Sequence, residues 1–89
     1  MITLHYTREF LKDSKKLPES IKLKLAQQLE RLSKNPFDPK LHTKLLRGKL
    51  AGLYSFRITR EWRVIFHFED PENIKLLGVG HRKEIYKKK

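Results

Sequence analysis

Two stretches with a two-residue period dominate the second half of the chain. In Leu53-Tyr54-Ser55-Phe56-Arg57-Ile58, the residues Tyr54, Phe56 and Ile58 share one face of a strand, leaving Ser55 and Arg57 on the other. In Trp62-Arg63-Val64-Ile65-Phe66-His67-Phe68 the same period sends Trp62, Val64, Phe66 and Phe68 inward, with Arg63, Ile65 and His67 opposite. Thr59-Arg60-Glu61 is the tight connection between them. The pattern therefore predicts a hairpin in which Arg57 and Arg63 neighbour each other on the face turned away from the core. A further strand, Ile74 to Val79, follows the acidic turn Glu69-Asp70-Pro71-Glu72-Asn73 and ends at Gly80. The remainder, His81 to Lys89, reads as a polar tail anchored by Ile85 and Tyr86. Its last residues, Lys87, Lys88 and Lys89, read as a basic end that adds non-specific attraction.

The first half has a longer period. Ile2-Thr3-Leu4-His5-Tyr6 alternates over a length that suits an edge or second-row strand, and Thr7 is placed to cap a helix. From Arg8 to Lys16, the apolar residues Phe10, Leu11 and Leu17 are spaced for one face; Leu17-Pro18 interrupts, and Pro18 restarts a helix at its first position. That second helix, from about Glu19 to Ser33, carries a stripe of Ile21, Leu25, Leu29 and Leu32, with Lys22, Lys24, Gln28 and Arg31 on wetter positions. Asn35-Pro36-Phe37-Asp38-Pro39 cannot continue it, because each proline lacks an amide donor and disfavours helical geometry in the residue before it. The segment to about Leu45 is predicted as a loop. Gly48 and Gly52 then flank Lys49-Leu50-Ala51, a turn into the first strand of a meander. Together these elements predict one α+β domain over residues 1–89: two N-terminal helices packed on one face of a small, mainly antiparallel four-stranded sheet. The other face is left for function.

Composition sharpens this picture mainly through charge. The chain has 89 residues, enough for one sheet and two helices, and carries a net charge of +11 from 21 basic and 10 acidic residues. That exceeds what solubility needs and points to an anionic partner: nucleic acid, an acidic membrane surface, or an acidic protein. Membrane binding calls for a basic amphipathic helix with exposed bulky apolar residues, whereas here the large apolar side chains are mostly claimed by strands. Nucleic acid comes first. With no cysteine there is neither a disulfide framework nor a thiolate metal site. The chain opens without an apolar signal stretch and has no run long enough to span a bilayer, so a reducing cytoplasm is the expected setting. No Walker loop, zinc spacing or serine-type triad is present. Glu69, Asp70 and Glu72 are acids of the kind that turns attract, and neither a metal nor another cofactor is expected.

The predicted strands and tail gather Arg57, Arg63, His81, Arg82 and Tyr86 with almost no acid among them. That is equipment for gripping and cleaving a phosphodiester. Arginine's permanent charge and forked donors fit phosphate oxygens and a developing phosphorane. Histidine titrates near neutrality and suits either proton transfer, whereas a tyrosine of unperturbed pKa about 10 needs cationic neighbours to act as a base. Lys44, Arg47 and Lys49, ahead of the first meander strand, are expected to grip RNA or ribosomal backbone.

The run LLRGKLAGLYSFRITREWRVIFHF, followed after the acidic turn by IKLLGVGHRKEIY, resembles the RelE/ParE superfamily of toxins from toxin-antitoxin pairs. The likeness spans essentially the whole chain. Its most specific parts are Leu46-Arg47-Gly48 to Gly52-Leu53-Tyr54, the Arg57-Ile58-Thr59 to Trp62-Arg63-Val64-Ile65-Phe66 hairpin, and the ending Gly80-His81-Arg82 to Tyr86. RelE-like members of that family enter the ribosomal A site and cut the messenger there; ParE-like members poison DNA gyrase with the same fold. Arg63 matches the arginine in the family's third strand, Arg82 the one after the final strand, and Tyr86 the tail tyrosine. Arg57 matches the second of two basic positions on the preceding strand. At the first stands Ser55, which departs from the lysine pattern and is expected only as an RNA or ribosome contact. His81 is then the residue to take over proton transfer, as a histidine does in some relatives. The resemblance implies a ribosome-dependent, metal-independent endoribonuclease, partnered by a cognate acidic antitoxin and by ribosome and messenger, with no membrane. The alternatives are a gyrase inhibitor and a non-catalytic nucleic-acid-binding module.

Overall fold

Thr7 joins the first two elements. Its hydroxyl oxygen accepts from the Phe10 amide at 3.1 Å, capping helix α1 (Arg8–Lys15) directly after strand β1 (Thr3–Tyr6). The same hydroxyl donates to the Leu76 carbonyl at 2.7 Å, fixing the helix start to the sheet. These coordinates are a computed structural model that describes residues 1–88, so Lys89 of the basic end lies outside the described residues. Pro18, expected at the first helical position, stands one residue earlier, at the cap of α2 (Glu19–Lys34). A 3₁₀ turn at Pro39–Leu41 follows, opened by the Asp38 side chain accepting from the Lys40 amide. Next come β2 (Lys44–Leu45), a 3₁₀ turn at Gly48–Leu50, β3 (Tyr54–Arg57), β4 (Trp62–Asp70), β5 (Asn73–His81) and the short α3 (Ile85–Lys88).

The sheet has five strands in the order β1-β5-β4-β3-β2, with β1 parallel to β5 and the other neighbours antiparallel. The α+β class holds, but the expected four strands and two helices become five and three. The extra strand, β2, is only two residues long and shows no alternation to read. It pairs with β3 because Gly48 and Gly52, at φ 68° and 90°, turn the chain back on itself. The extra helix forms where the tail folds onto the sheet. Its four residues are too few to show a helical period.

The main core lies between the two long helices and one sheet face. Phe10, Leu17, Ile21, Leu25 and Leu32 pack against Phe56, Ile58, Val64, Phe66, Ile74, Leu76 and Val79. Gln28, expected on a wet position, is only 6 % exposed. Its Nε2 donates to the carbonyls of Lys40 at 3.1 Å and Arg57 at 2.7 Å, and its Oε1 accepts from Arg31 Nη1 at 2.7 Å. A polar residue in the stripe thus pins α2 to the loop and to β3. The opposite sheet face is partly covered, contrary to expectation. Leu46, Ile65 and Ile85 form a second cluster there, joined by Leu50, Leu53, Leu77 and Tyr86. Ile85, fully buried, is what draws the tail down.

Register decides which side chains reach that second face. Arg57 sits directly opposite Arg63, and Ser55 opposite Ile65. A bulge in β5 interrupts the alternation, since Ile65 pairs with Gly78 but the next residue, Phe66, pairs with Leu76. Val79 and His81 are thereby turned to the helix side, out of phase with a regular strand. Among the described residues no helix is long and apolar enough to cross a membrane.

Candidate active site

Three elements meet at the Tyr86 hydroxyl. Helix α3 carries Tyr86, β3 carries Ser55 and β4 carries Arg63. The hydroxyl donates to Ser55 Oγ at 3.3 Å and accepts from Arg63 Nη1 at 3.4 Å. Arg63 Nη2 donates to the Arg60 carbonyl at 3.3 Å, which fixes the guanidinium across the hairpin. Its Nε is buried with no hydrogen-bond partner. Ser55, only 2 % exposed, lies beneath Tyr86 and supports it instead of presenting a surface to RNA.

Arg57 completes the cationic side of this group. It is half-buried and directly opposite Arg63, and among the described residues neither arginine forms an ion pair with a carboxylate. Like charges facing across strands repel. A phosphate between them relieves that repulsion and uses the forked donors of both. Any negative charge developing on the Tyr86 oxygen would face the Arg63 guanidinium.

His81 and Arg82 are placed apart from this group. The His81 ring stands edge-on to Trp62, centroids 5.5 Å apart, and borders a recess with Asp13, Lys16, Leu17 and Val79 on the helix side. Its Nε2 lies 3.4 Å from Glu61 Oε2, and its Nδ1 accepts from the Lys83 amide at 3.2 Å. An amide donating to Nδ1 assigns the proton to Nε2. Both ring nitrogens are therefore engaged. The His81 carbonyl also accepts from the Glu84 amide at 2.9 Å, so this residue shapes the turn that launches α3. Arg82 is exposed; its amide donates to the Glu61 carbonyl at 2.7 Å, while its Nε is 3.8 Å from Glu61 Oε2, a loose surface pair. Sequence reasoning passed over Glu61, whose place beside both residues follows from the Trp62–His81 pairing.

Lys44, Arg47 and Lys49 are all exposed on the β2 side. Lys44 and Arg47 border a hollow of about 690 Å³ with Leu45, Leu46, Leu50 and Tyr86. The acidic turn is internally occupied: Asp70 Oδ1 accepts from the Glu72 amide at 2.8 Å and from Asn73 Nδ2 at 2.9 Å. Among the described residues no group of histidines and acids is arranged to hold a metal ion.

The family described as the ParE toxin of the type II toxin-antitoxin system, parDE, matches residues 4–86. The fold is similar to that of YafQ from E. coli strain BL21(DE3), with TM-score 0.80 and 18% identity over 97% of this chain and 99% of that one. It is also similar to the YoeB/ParE toxin from Agrobacterium tumefaciens, with TM-score 0.77 and 19% identity over 91% and 99% of the two chains. A chain of the toxin-antitoxin complex RelBE2 from Mycobacterium tuberculosis aligns with TM-score 0.76 and 29% identity over 91% and 98%. No curated protein sequence matches this chain.

Proposed function

The chain belongs to the ParE toxin family of type II toxin-antitoxin systems, and from that premise we propose that this toxin is a ribosome-dependent endoribonuclease cutting messenger RNA in the A site. The observation that carries the reading is the Tyr86 hydroxyl, held at 3.3 Å by Ser55 and at 3.4 Å by Arg63, whose register partner is Arg57; among the described residues neither arginine pairs with a carboxylate. In the proposed reaction the 2′-hydroxyl loses its proton to a base and its oxygen attacks phosphorus. The bond to the 5′-oxygen breaks, the 5′-oxygen takes a proton, and a 2′,3′-cyclic phosphate is left. Tyr86 takes one of these proton transfers. Arg57 and Arg63 hold the non-bridging oxygens as charge builds on them. Arg82 meets a flanking phosphate. His81, with both nitrogens engaged, acts through the turn that positions Tyr86. A surface of this charge is expected to be covered at rest by an acidic antitoxin segment that folds on binding; RelBE2 is itself a toxin-antitoxin complex, which supports that expectation.

The matched family's name favours a second reading, gyrase poisoning in the ParE manner. Under it the contact between Tyr86 and Arg63 is only a tail anchor. Two assays on the same preparation separate the readings: cleavage of a programmed A-site codon, and supercoiling by gyrase. Cleavage without an effect on supercoiling is expected. Inhibited supercoiling with an intact messenger establishes the second reading.

A further inference from the structure

The hairpin loop of residues 59–61 is tied to two parts of the site at once. Thr59 Oγ1 accepts from the amides of Glu61 and Trp62, each at 3.3 Å, which sets the shape of the loop. On one side of it, the Arg60 carbonyl accepts from Arg63 Nη2 at 3.3 Å. On the other, the Glu61 carbonyl accepts from the Arg82 amide at 2.7 Å, and Glu61 Oε2 lies 3.4 Å from His81 Nε2 and 3.8 Å from Arg82 Nε. His81 and Arg82 open the turn from which α3 rises, closed by the Glu84 amide donating to the His81 carbonyl at 2.9 Å. Two neighbouring residues of one loop thus hold the Arg63 guanidinium and the start of the helix that carries Tyr86. Those are the two groups that meet at 3.4 Å. The pairs Lys22–Glu19 and Lys34–Glu30 lie within α2, whereas the Glu61 carboxylate joins the hairpin to the tail.

We propose that Glu61 is a positioning residue: its carboxylate, facing His81 and Arg82, sets the turn so that the Tyr86 hydroxyl meets Arg63. A helix of four residues has no stability of its own, so its direction comes from its anchors. Ile85, fully buried, fixes its depth on the sheet, and the Glu61 contacts fix the point from which it leaves. The three side chains of this cluster are all partly exposed, and pairs of that kind add little to global stability. They still govern direction, and a displacement of about 1 Å at a reacting group can cost up to about 10²-fold in rate. The effect on rate rests on the endoribonuclease reading; the placement of Tyr86 does not.

The test uses the full chain with two substitutions: Glu61→Gln, which keeps the size and removes the charge, and Glu61→Lys, which sets a cation against His81 and Arg82. Position 61 is exposed, and thermal melts verify that the variants fold; if the lysine variant does not, the glutamine variant decides alone. The first readout needs no activity. In NMR spectra of ring-labelled tyrosine, the signal lost in Tyr86→Phe identifies Tyr86, and both Glu61 variants should shift it while Tyr6 and Tyr54 keep theirs. A Tyr86 signal at its parental position in both variants overturns the proposal. The second readout is single-turnover cleavage and half-saturating toxin concentration on programmed ribosomes. Glu61→Gln should lower the rate about fivefold, the upper range for a surface ion pair, and Glu61→Lys about tenfold or more. Half-saturation should not weaken in either, since neither change removes a cation. In a Tyr86→Phe background neither should lower the rate further. Equal losses with and without the tyrosine hydroxyl, or weaker half-saturation at the parental rate, also overturn the proposal while leaving the endoribonuclease reading in place. A folded parent that cuts no message removes that reading, and the Tyr86 signal alone then decides whether Glu61 positions the tyrosine.

Discussion

The hydroxyl of Tyr86 donates to the Oγ of Ser55 at 3.3 Å, across 31 residues of sequence. The space beneath the tyrosine is thus filled by a short, buried hydroxyl. The tail is then held from two sides, by this contact and by the buried Ile85 next to it.

If Ser55 acts by holding Tyr86, the two residues are coupled in cleavage. Ser55→Ala should lower the single-turnover rate, Tyr86→Phe should lower it more, and the double variant should be no slower than Tyr86→Phe. The coupling should be about 0.5–3 kcal/mol, as for residues in direct contact. Additive losses mean that Ser55 serves the site by another route.

Arg57 and Arg63 are register partners, and among the described residues neither pairs with a carboxylate, which is a cost to the fold and would be a gain to the proposed phosphate site. Arg57→Thr is expected to be neutral or stabilising by about 0.5 kcal/mol at low ionic strength, while cleavage falls. Urea unfolding at two salt concentrations checks the first part. A destabilisation beyond about 1 kcal/mol would show that Arg57 is held by contacts that outweigh the repulsion.

Gln28 closes the back of the site through the Arg57 carbonyl. Gln28→Leu keeps much of the volume and strands two carbonyls, so it should cost about 2 kcal/mol. The urea midpoint should fall with an unchanged slope. A change below about 0.5 kcal/mol would mean that water replaces the amide.

Asp70 gives a pH test. Hydrogen bonds from the Asn73 side chain first, then from the Glu72 amide, hold its carboxyl below the ordinary value of 3.8. Because the folded form binds the proton less readily, the stability this turn contributes is fully present above 3.8 and is lost as pH falls through the lowered folded value. The stability gap between the parent and Asp70→Asn should therefore narrow on acidification below that point. A gap that widens contradicts the sign.

Much of the fold was legible because its signals are periodic. The alternation of Tyr54, Phe56 and Ile58 against Val64, Phe66 and Phe68 gave the hairpin and the pairing of Arg57 with Arg63. Ser55 and Tyr86 drew notice through the family pattern, but their contact is tertiary and has no local signature. His81 was expected in the tail, grouped with Arg63; instead β5 runs on to include it, and the bulge near Gly78 turns it to the helix side, where it meets Trp62. Gln28 looked solvated because its neighbours on α2 are charged, and only the approach of Lys40 and Arg57 gives its amide a buried task. Strand β2 and helix α3 are too short to carry a period.

Arg63 and Tyr86 are proposed to form a phosphodiester-cleaving centre, and single-turnover cleavage on programmed ribosomes, read alongside ribosome binding, decides whether they do. The parent should cut the A-site codon. Arg63→Ala should cut it about 10² times more slowly, as loss of one preorganised donor commonly does, with ribosome binding nearly unchanged. Cleavage by Arg63→Ala at the parental rate, or equal losses in binding and rate, would contradict the claim.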